Sequence, residues 1–283
     1  MNHTTSTLID LALDEDIGAG DVTSTYFVPE GRESRALVVA KDDGVIAGVE
    51  VAVEVFRRVD PEIKVNVLLK DGSQVAPRAG VMEVTGRSRS ILTAERVVLN
   101  FLQRLSGVAT KTKQFVDLVA DAPARILDTR KTTPGWRVLE KAAVVAGGGY
   151  NHRMGLYDRA MVKDNHLMAE GDLGALQEAI NFLRRDKPEV EVELEADRLH
   201  QVESFLTLEG VDHILLDNMD CETMSKAVEL RGEDGPLLEA SGGVNLSTVA
   251  GIAATGVDFI SVGAVTHSAV ALDLSLEFLP DED

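Results

Sequence analysis

An α/β chain in two parts is the fold class this sequence predicts, on three observations. Between Ala36 and Thr85, short β-rich runs are separated by Asp-Gly and Pro-containing turns. From residue 125 onward, strand and helix candidates alternate at roughly 20–35-residue spacing, the rhythm of repeated βα units on a parallel sheet. Finally, 283 residues with 45% hydrophobic content suffice for one large or two ordinary domains.

The elements follow in order. Ser6–Asp14 reads as a short helix carrying Leu8, Ile9, Leu11 and Leu13, and Asp21–Ser24 as a turn or cap. Strand candidates Ala36–Ala40, Gly44–Ala47, Val65–Leu69 and Val81–Thr85 surround a helix at Val51–Val59. The KDGSQVAPRAGVMEVTG stretch resembles the turns of lipoyl-like barrels, but no lysine sits in a tight Asp-Lys turn, so it reads as scaffold. Thr93–Leu105 is expected as a helix with Thr93 as N-cap and Ser106-Gly107 as its end. Val97, Val98, Phe101, Leu102 and Leu105 form its apolar side, leaving Arg96, Asn100 and Arg104 on another stripe. A further helix spans about 109–120. Strands are then expected at 125–129, 160–163, 190–194, 213–217, 237–241 and 259–263. Helices are expected near 137–147, 172–185, 197–208, 220–231 and 246–255. Whether the sheet closes or is doubly wound stays open at this level.

Composition narrows the class of function. No apolar run approaches the ~18 residues of a membrane span. The N-terminal segment lacks the basic and apolar regions of a signal peptide, and the single Cys221 excludes an intrachain disulfide; a cytoplasmic location is the expectation. The net charge is −19, with only 10 lysines. Acidic surfaces poor in lysine suit a high-salt cytoplasm, where screening relieves self-repulsion.

Against this background residues 125–166 stand apart, because there Lys and Arg outnumber Asp and Glu. A cationic pocket in an acidic chain points to a small, multiply charged anion. No extended basic surface for a nucleic acid or a membrane is visible. Arg130-Lys131 and Lys163 follow strand candidates, and cations at strand C-terminal ends are where α/β sheets place their chemistry. Gly147-Gly148-Gly149 ends a helix candidate and is followed by the loop residues His152-Arg153. Ser241-Gly242-Gly243 and Gly263-Ala264 follow the last two strands, where backbone N–H groups suit a phosphate. Glu193 and Asp217 sit on strands otherwise built of Val, Ile and Leu, and a buried carboxylate there needs a cation, a metal or a hydrogen bond. Glu191, Glu193 and Glu195 share one strand face, and the choice among them stays open.

DTRKTTPG, GGGYNHRMGLYD, KDNH, LDNM, EASGG and ISVGAVTHS, in this order, resemble the quinolinate phosphoribosyltransferase family, from about Leu8 to Leu276. The resemblance implies an N-terminal α/β sandwich (1–108, joined by the tail 269–283) and a catalytic α/β barrel (109–268). That barrel has fewer than eight parallel strands, of the type II phosphoribosyltransferase kind. It implies an enzyme that joins quinolinate to phosphoribosyl pyrophosphate (PRPP), with Mg²⁺ as cofactor. Arg130, His152 and Arg153, with Thr129, Lys131 and Lys163, are implied for quinolinate, and Arg96 is implied to complete the neighbouring site of a homodimer. Lys163, Glu193, Asp217, Ser241, Gly242, Gly243, Gly263 and His267 are implied for PRPP. Lys131, Lys163, Glu193 and Asp217 carry the catalytic roles, and Glu193 and Asp217 are implied at the metal, through PRPP. The rivals are a paralogue of the same fold, either molybdenum-associated or nicotinate-specific, and a barrel aldolase using Lys163 as a Schiff base. Four cations for one small acid, Arg96, Arg130, His152 and Arg153, favour a dicarboxylate.

Overall fold

The computed structural model describes residues 1–163 and 173–280, which form two compact units. The first unit comprises Met1–Lys113, Thr132–Gly148 and Val265 onward; the second comprises Gln114–Lys131 and Gly149–Ala264.

In the first unit, α1 (His3–Ile17) is capped by Asn2, whose side chain accepts from Thr5 N at 2.9 Å. Asp21, expected as a turn or cap, caps α2 (Val22–Phe27) by accepting from Ser24 N at 2.9 Å. Strands β1 (Glu33–Ala40), β3 (Lys64–Val67) and β5 (Gly80–Arg87) join the C-terminal strand β12 (Leu274–Phe278) in an antiparallel sheet of order β12-β1-β5-β3. The short strands β2 (Gly44–Val45) and β4 (Gln74–Val75) pair separately. Ser34, Ala36 and Val38 alternate into the interior along β1, the period expected of a half-buried strand. Helix α3 (Val49–Val59) buries Val51, Ala52, Val55 and Phe56.

The largest departure from the sequence reading is α4 (Ser88–Leu118), one continuous helix of 31 residues where two were expected. Ser106-Gly107 does not end it. The Ser106 hydroxyl accepts from Ala47 N at 3.0 Å and donates to Ala47 O at 3.3 Å. A Cβ at Gly107 would lie 2.1 Å from the Val270 carbonyl oxygen. The pair is small because other chain segments press against the helix there, and close approach needs no Cβ. Thr93 is likewise no N-cap: it lies inside α4 and donates to Asp21 Oδ2 at 3.0 Å. Arg104, expected on the same stripe as Arg96 and Asn100, turns to the fully buried Glu140 of α5 (Arg137–Ala146) at 3.1 Å. Thr133 N and Oγ1 donate to the same carboxylate at 3.0 and 2.8 Å.

In the second unit, β6 (Arg125–Leu127), β7 (Arg159–Val162), β8 (Glu191–Ala196), β9 (His213–Asp217), β10 (Leu237–Ser241) and β11 (Phe259–Ser261) form one parallel sheet of order β6-β11-β10-β9-β8-β7. Helices α6 (Leu173–Asp186), α7 (Leu199–Phe205), α8 (Cys221–Arg231) and α9 (Val249–Ala253) follow β7 to β10 in turn, and α10 (Ala264–His267) follows β11. Strands β7 to β11 are neighbours in chain order. Right-handed crossovers that all step the same way put every helix on one face, so the other face must curl upon itself as a barrel does. This strand order, with β6 and β7 at its two edges, is that of an α/β barrel wall rather than of a doubly wound sheet. One face carries Val192, Leu194, Ala196, Ile214, Leu216, Leu238, Ala240 and Ile260, all buried. The opposite face carries Glu193, His213, Glu239 and Ser261, also buried. That inner face is unusually polar, and the candidate site stands at its C-terminal edge.

Candidate functional site

Thr129, Arg130 and Lys131 follow β6, and Lys131 N donates to Thr129 Oγ1 at 3.0 Å. The residue before them, Asp128, is fully buried and accepts from His152 N at 2.9 Å, while Asp128 N donates to Tyr150 O at 3.1 Å. The first strand therefore holds the His152-Arg153 loop in place. Within that loop Arg153 Nη1 donates to Arg159 O at 3.2 Å. Burial, and next the charge of Arg130, pull the Arg153 guanidinium below its usual pKa. Two like charges held near each other beside a strand end are relieved by a bound anion.

His152, expected at the quinolinate carboxylates, makes its contacts inside the second unit. It is only 8% exposed, and its Nδ1 accepts from Arg153 N at 2.7 Å. An accepting Nδ1 leaves the proton on Nε2, which faces Glu193 at 3.1 Å and Glu239 at 3.4 Å. Its ring therefore points into the barrel, towards two fully buried carboxylates. Glu239 also accepts from Ser261 Oγ, and Arg159 Nη1 lies 3.7 Å from Glu193. The Oε2 atoms of Glu193 and Glu239 are buried and make no hydrogen bond, although His152 Nε2 lies 3.1 Å from that of Glu193. A proton on one carboxyl supplies the missing donor. Burial and the charge of Glu193 push Glu239 well above the ordinary carboxylate range, which makes Glu239 the better of the two to carry such a proton. For Glu193 burial acts in the same direction, but His152 and Arg159 outweigh it and its pKa is lowered. The two acids differ in environment and so in protonation.

Lys163, Asp217, Ser241, Gly242, Gly243 and Gly263 lie at the same edge of the sheet. Lys163 follows β7 and forms an ion pair with Glu195, so of the three glutamates Glu195 is the one at the strand end beside a cation. Glu191 pairs with Arg159 at 2.5 Å, at the other end of β8. Asp217 ends β9 half-buried and accepts from Asn218 Nδ2 at 2.8 Å. Ser241 ends β10, and Gly242 and Gly243 follow with φ of +97° and +59°, a backbone that favours glycine. Gly263 follows β11. Two expected residues belong to the first unit. Arg96 is exposed on α4, next to the buried Val97, and His267 is exposed with Nδ1 2.6 Å from Ser268 Oγ. Asp164, Asn165 and His166 of the KDNH motif lie outside the described residues.

His152, Glu193 and Glu239 offer ligand atoms within 4.8 Å of one another. The trio is buried and Arg159 already lies beside Glu193, whereas Mg²⁺ keeps several waters and takes one or two carboxylates beside substrate phosphates. Asp217, half-buried at a strand end, fits that ion better than Glu193. The sequence reading passed over Arg159, and quoted Asp128, Asn218 and Glu239 within its motifs without giving them a role. The signal for Glu239 was present in LLEAS, a lone carboxylate in an apolar strand, the same cue that singled out Glu193.

A profile of the quinolinate phosphoribosyl transferase C-terminal domain matches residues 108–277, and one of its N-terminal domain matches residues 21–106. The chain belongs to the quinolinate phosphoribosyltransferase family. It is 45% identical over 286 residues to the decarboxylating mitochondrial quinolinate phosphoribosyltransferase 2b of Nicotiana tabacum, covering 95% of this chain and 81% of that one. The carboxylating chloroplastic nicotinate-nucleotide pyrophosphorylase of Arabidopsis thaliana is 44% identical over 289 residues, with the same coverage of 95% and 81%. Among solved structures, the nicotinate-nucleotide pyrophosphorylase of Francisella tularensis superposes with a TM-score of 0.91 at 36% identity, covering 99% of this chain and 97% of that one. Human nicotinic acid phosphoribosyltransferase shares the fold alone, at a TM-score of 0.60 and 13% identity, over 99% of this chain and 74% of that one. The quinolinate phosphoribosyltransferase fold accounts for both halves of the chain: an antiparallel sheet with helices, then a six-stranded parallel sheet. Among the described residues no helix is long and apolar enough to cross a membrane.

Proposed function

We propose that this chain converts quinolinate and PRPP to nicotinate mononucleotide, pyrophosphate and carbon dioxide, in de novo NAD biosynthesis in the cytoplasm. The observation that carries this reading is the pair Arg130 and Arg153, whose like charges bear on each other at the strand ends. Guanidinium groups match carboxylates bidentately, and quinolinate brings two adjacent carboxylates. Lys131 and Lys163, as point charges, suit the phosphates of PRPP. Ser241, Gly242, Gly243 and Gly263 offer backbone N–H groups to its 5-phosphate, with His267 and Thr129 in supporting roles. Asp217 is assigned to the ribose hydroxyls, and to Mg²⁺ held jointly with pyrophosphate oxygens. Bound there, the ion would neutralise charge on the leaving group.

The pyridine nitrogen attacks the anomeric carbon of PRPP as its bond to pyrophosphate breaks, with oxocarbenium character between. The C2–carboxylate bond then breaks and carbon dioxide leaves. The electron pair left on C2 is stabilised by the adjacent positive nitrogen until that carbon takes up a proton. No covalent enzyme intermediate is needed, so catalysis is positioning and electrostatics. His152 and Glu193 act from behind, orienting the loop that carries Arg153. Arg96 is proposed to reach the neighbouring subunit's site in a homodimer.

The test is incubation with PRPP, Mg²⁺ and either quinolinate or nicotinate. Mononucleotide and carbon dioxide should form from quinolinate. Nicotinate should serve poorly, because a single carboxylate leaves a cation unpaired, at a cost of about 2–5 kcal/mol or tens- to thousands-fold. Equal efficiency on both acids would refute the dicarboxylate reading.

A further inference from the structure

Asn218 lies between two parts of the proposed PRPP site, and nothing in the reaction as described uses it. Its backbone is left-handed, with φ +54°, a conformation that among the described non-glycine residues only Arg78 shares in having positive φ. Asparagine tolerates this region because its short amide bonds locally. That is what it does here: Asn218 N donates to Ser241 O at 2.9 Å, and Nδ2 donates to Asp217 Oδ2 at 2.8 Å. Asp217 and Ser241 are register partners on β9 and β10, so Asn218 reaches across the top of that pair. On its other side is Gly242. A Cβ built on Gly242 would lie 2.1 Å from Asn218 Oδ1, 2.5 Å from Cγ and 2.9 Å from N. The amide occupies the space a side chain at 242 would need, so the glycine is required there by its neighbour as well as by its φ.

We propose that Asn218 is a positioning residue that locks the Asp217 carboxylate to the Ser241-Gly242-Gly243 turn, so that the ribose and 5-phosphate ends of PRPP meet a preset geometry. This rests on the PRPP assignment above. Spending one Asp217 oxygen on Asn218 fixes the carboxylate's rotation and presents the other oxygen to the ligand. The bond to Ser241 O fixes the height of the glycine turn relative to that carboxylate. Preset groups bind without the ordering cost that mobile ones meet.

Three variants test it. Asn218→Gly keeps access to the left-handed backbone and removes the amide. Asn218→Asp keeps the shape and sets a second carboxylate against Asp217. Both should raise the KM for PRPP about tenfold to a hundredfold, the loss of a hydrogen bond to a charged group, and leave the KM for quinolinate nearly unchanged. Gly242→Ala should lower thermal stability in the unliganded protein, and adding Asn218→Gly should restore part of that loss, because the Cβ then has room. An unchanged PRPP KM in Asn218→Gly, a parallel rise in both KM values with a matching loss of stability, or strict additivity of Gly242→Ala and Asn218→Gly would overturn the role of Asn218. If the unsubstituted protein makes no mononucleotide from PRPP, the reaction itself is refuted, and the additivity result separately reports on the Asn218–Gly242 contact.

Discussion

Replacing each of the two buried carboxylates by its amide separates two acids that lie side by side. Glu193 and Glu239 are both 0% exposed and both face His152. Glu239 is neutral on the argument above, so Glu239→Gln preserves charge, shape and a donor towards Glu193. Below about pH 4.5, where the parent side chain is protonated folded and unfolded alike, it should change stability by no more than about 1 kcal/mol, the scale of one net hydrogen bond. Glu193→Gln removes the anion that serves His152 and lies 3.7 Å from the Arg159 guanidinium, whose Nη1 is already a buried donor without an acceptor. Breaking a buried pair from one side costs about 3–5 kcal/mol. Mononucleotide formation should fall with it, since the His152-Arg153 loop loses its anchor.

The pH dependence has opposite signs for the two. The Glu239 pKa is raised, so the folded protein holds a proton that the unfolded chain releases near the ordinary glutamate value of 4.5. Its contribution is complete below that pH and is lost as pH rises towards the folded value, at up to about 1.4 kcal/mol per pH unit. Glu193 has a lowered pKa, so its contribution is present above 4.5 and is lost as pH falls through its folded value. Urea unfolding at a series of pH values measures both. Relative to the parent, Glu239→Gln should gain stability as pH rises above about 4.5, with a carboxylic-acid C=O infrared band missing from the variant. Equal penalties for the two amides at pH 7, or a Glu239→Gln curve parallel to the parent's at every pH, would refute the assignment of the proton to Glu239.

Lys163→Ala should abolish most turnover while leaving the melting temperature nearly unchanged. The Lys163 side chain is 40% exposed, and a pair of that kind is worth at most about 1 kcal/mol; near-parental turnover would remove Lys163 from the chemistry. Arg96→Ala and Lys163→Ala, each inactive alone, should recover roughly a quarter of parental activity when mixed under subunit exchange, because about half of the dimers then carry one intact site. No recovery despite demonstrated exchange would place Arg96 outside the neighbour's site. With a net charge of −19, the melting temperature should rise between 0.1 M and 1 M salt, as the Debye length falls from about 10 Å to about 3 Å; a flat response would remove the high-salt reading of the surface.

The strand and helix rhythm of residues 125–263 was legible because each βα unit buries one apolar face and repeats. Harder to read was anything set by a partner far along the chain. Ser106-Gly107 looks like a helix end by local propensity, yet the helix runs through it, because Ala47 and Val270 supply the reason for a small residue. Thr93 looks like a cap and serves another helix's cap instead. At the site, Arg130, Lys131 and Lys163 announced themselves as cations after strands, and Arg153 as a cation after a glycine run. The direction of a side chain was not readable in the same way. NHRMG marks His152 as functional without saying that its ring turns inward, and EVELEA presents three glutamates on one face without saying that only the middle one is fully enclosed.

That enclosed layer explains how cations can be held at the mouth of a barrel in a strongly acidic protein. Arginines crowded at a strand edge repel one another, and an apolar interior would offer them nothing to work against. Here the inner face beneath Arg130 and Arg153 carries one ionised carboxylate, Glu193, whose charge acts on Arg153 opposite to that of Arg130. Were both Glu193 and Glu239 ionised, that layer would neutralise the mouth and repel each other inside; were neither ionised, Arg159 would lose a buried counter-charge. A proton on Glu239 would leave one negative charge below and the cations above still in excess, as the proposed binding of a dianion requires. The surface charge is a separate matter: it is exposed, screened by salt and remote from the interior layer, so a net −19 and an anion-binding pocket coexist without conflict.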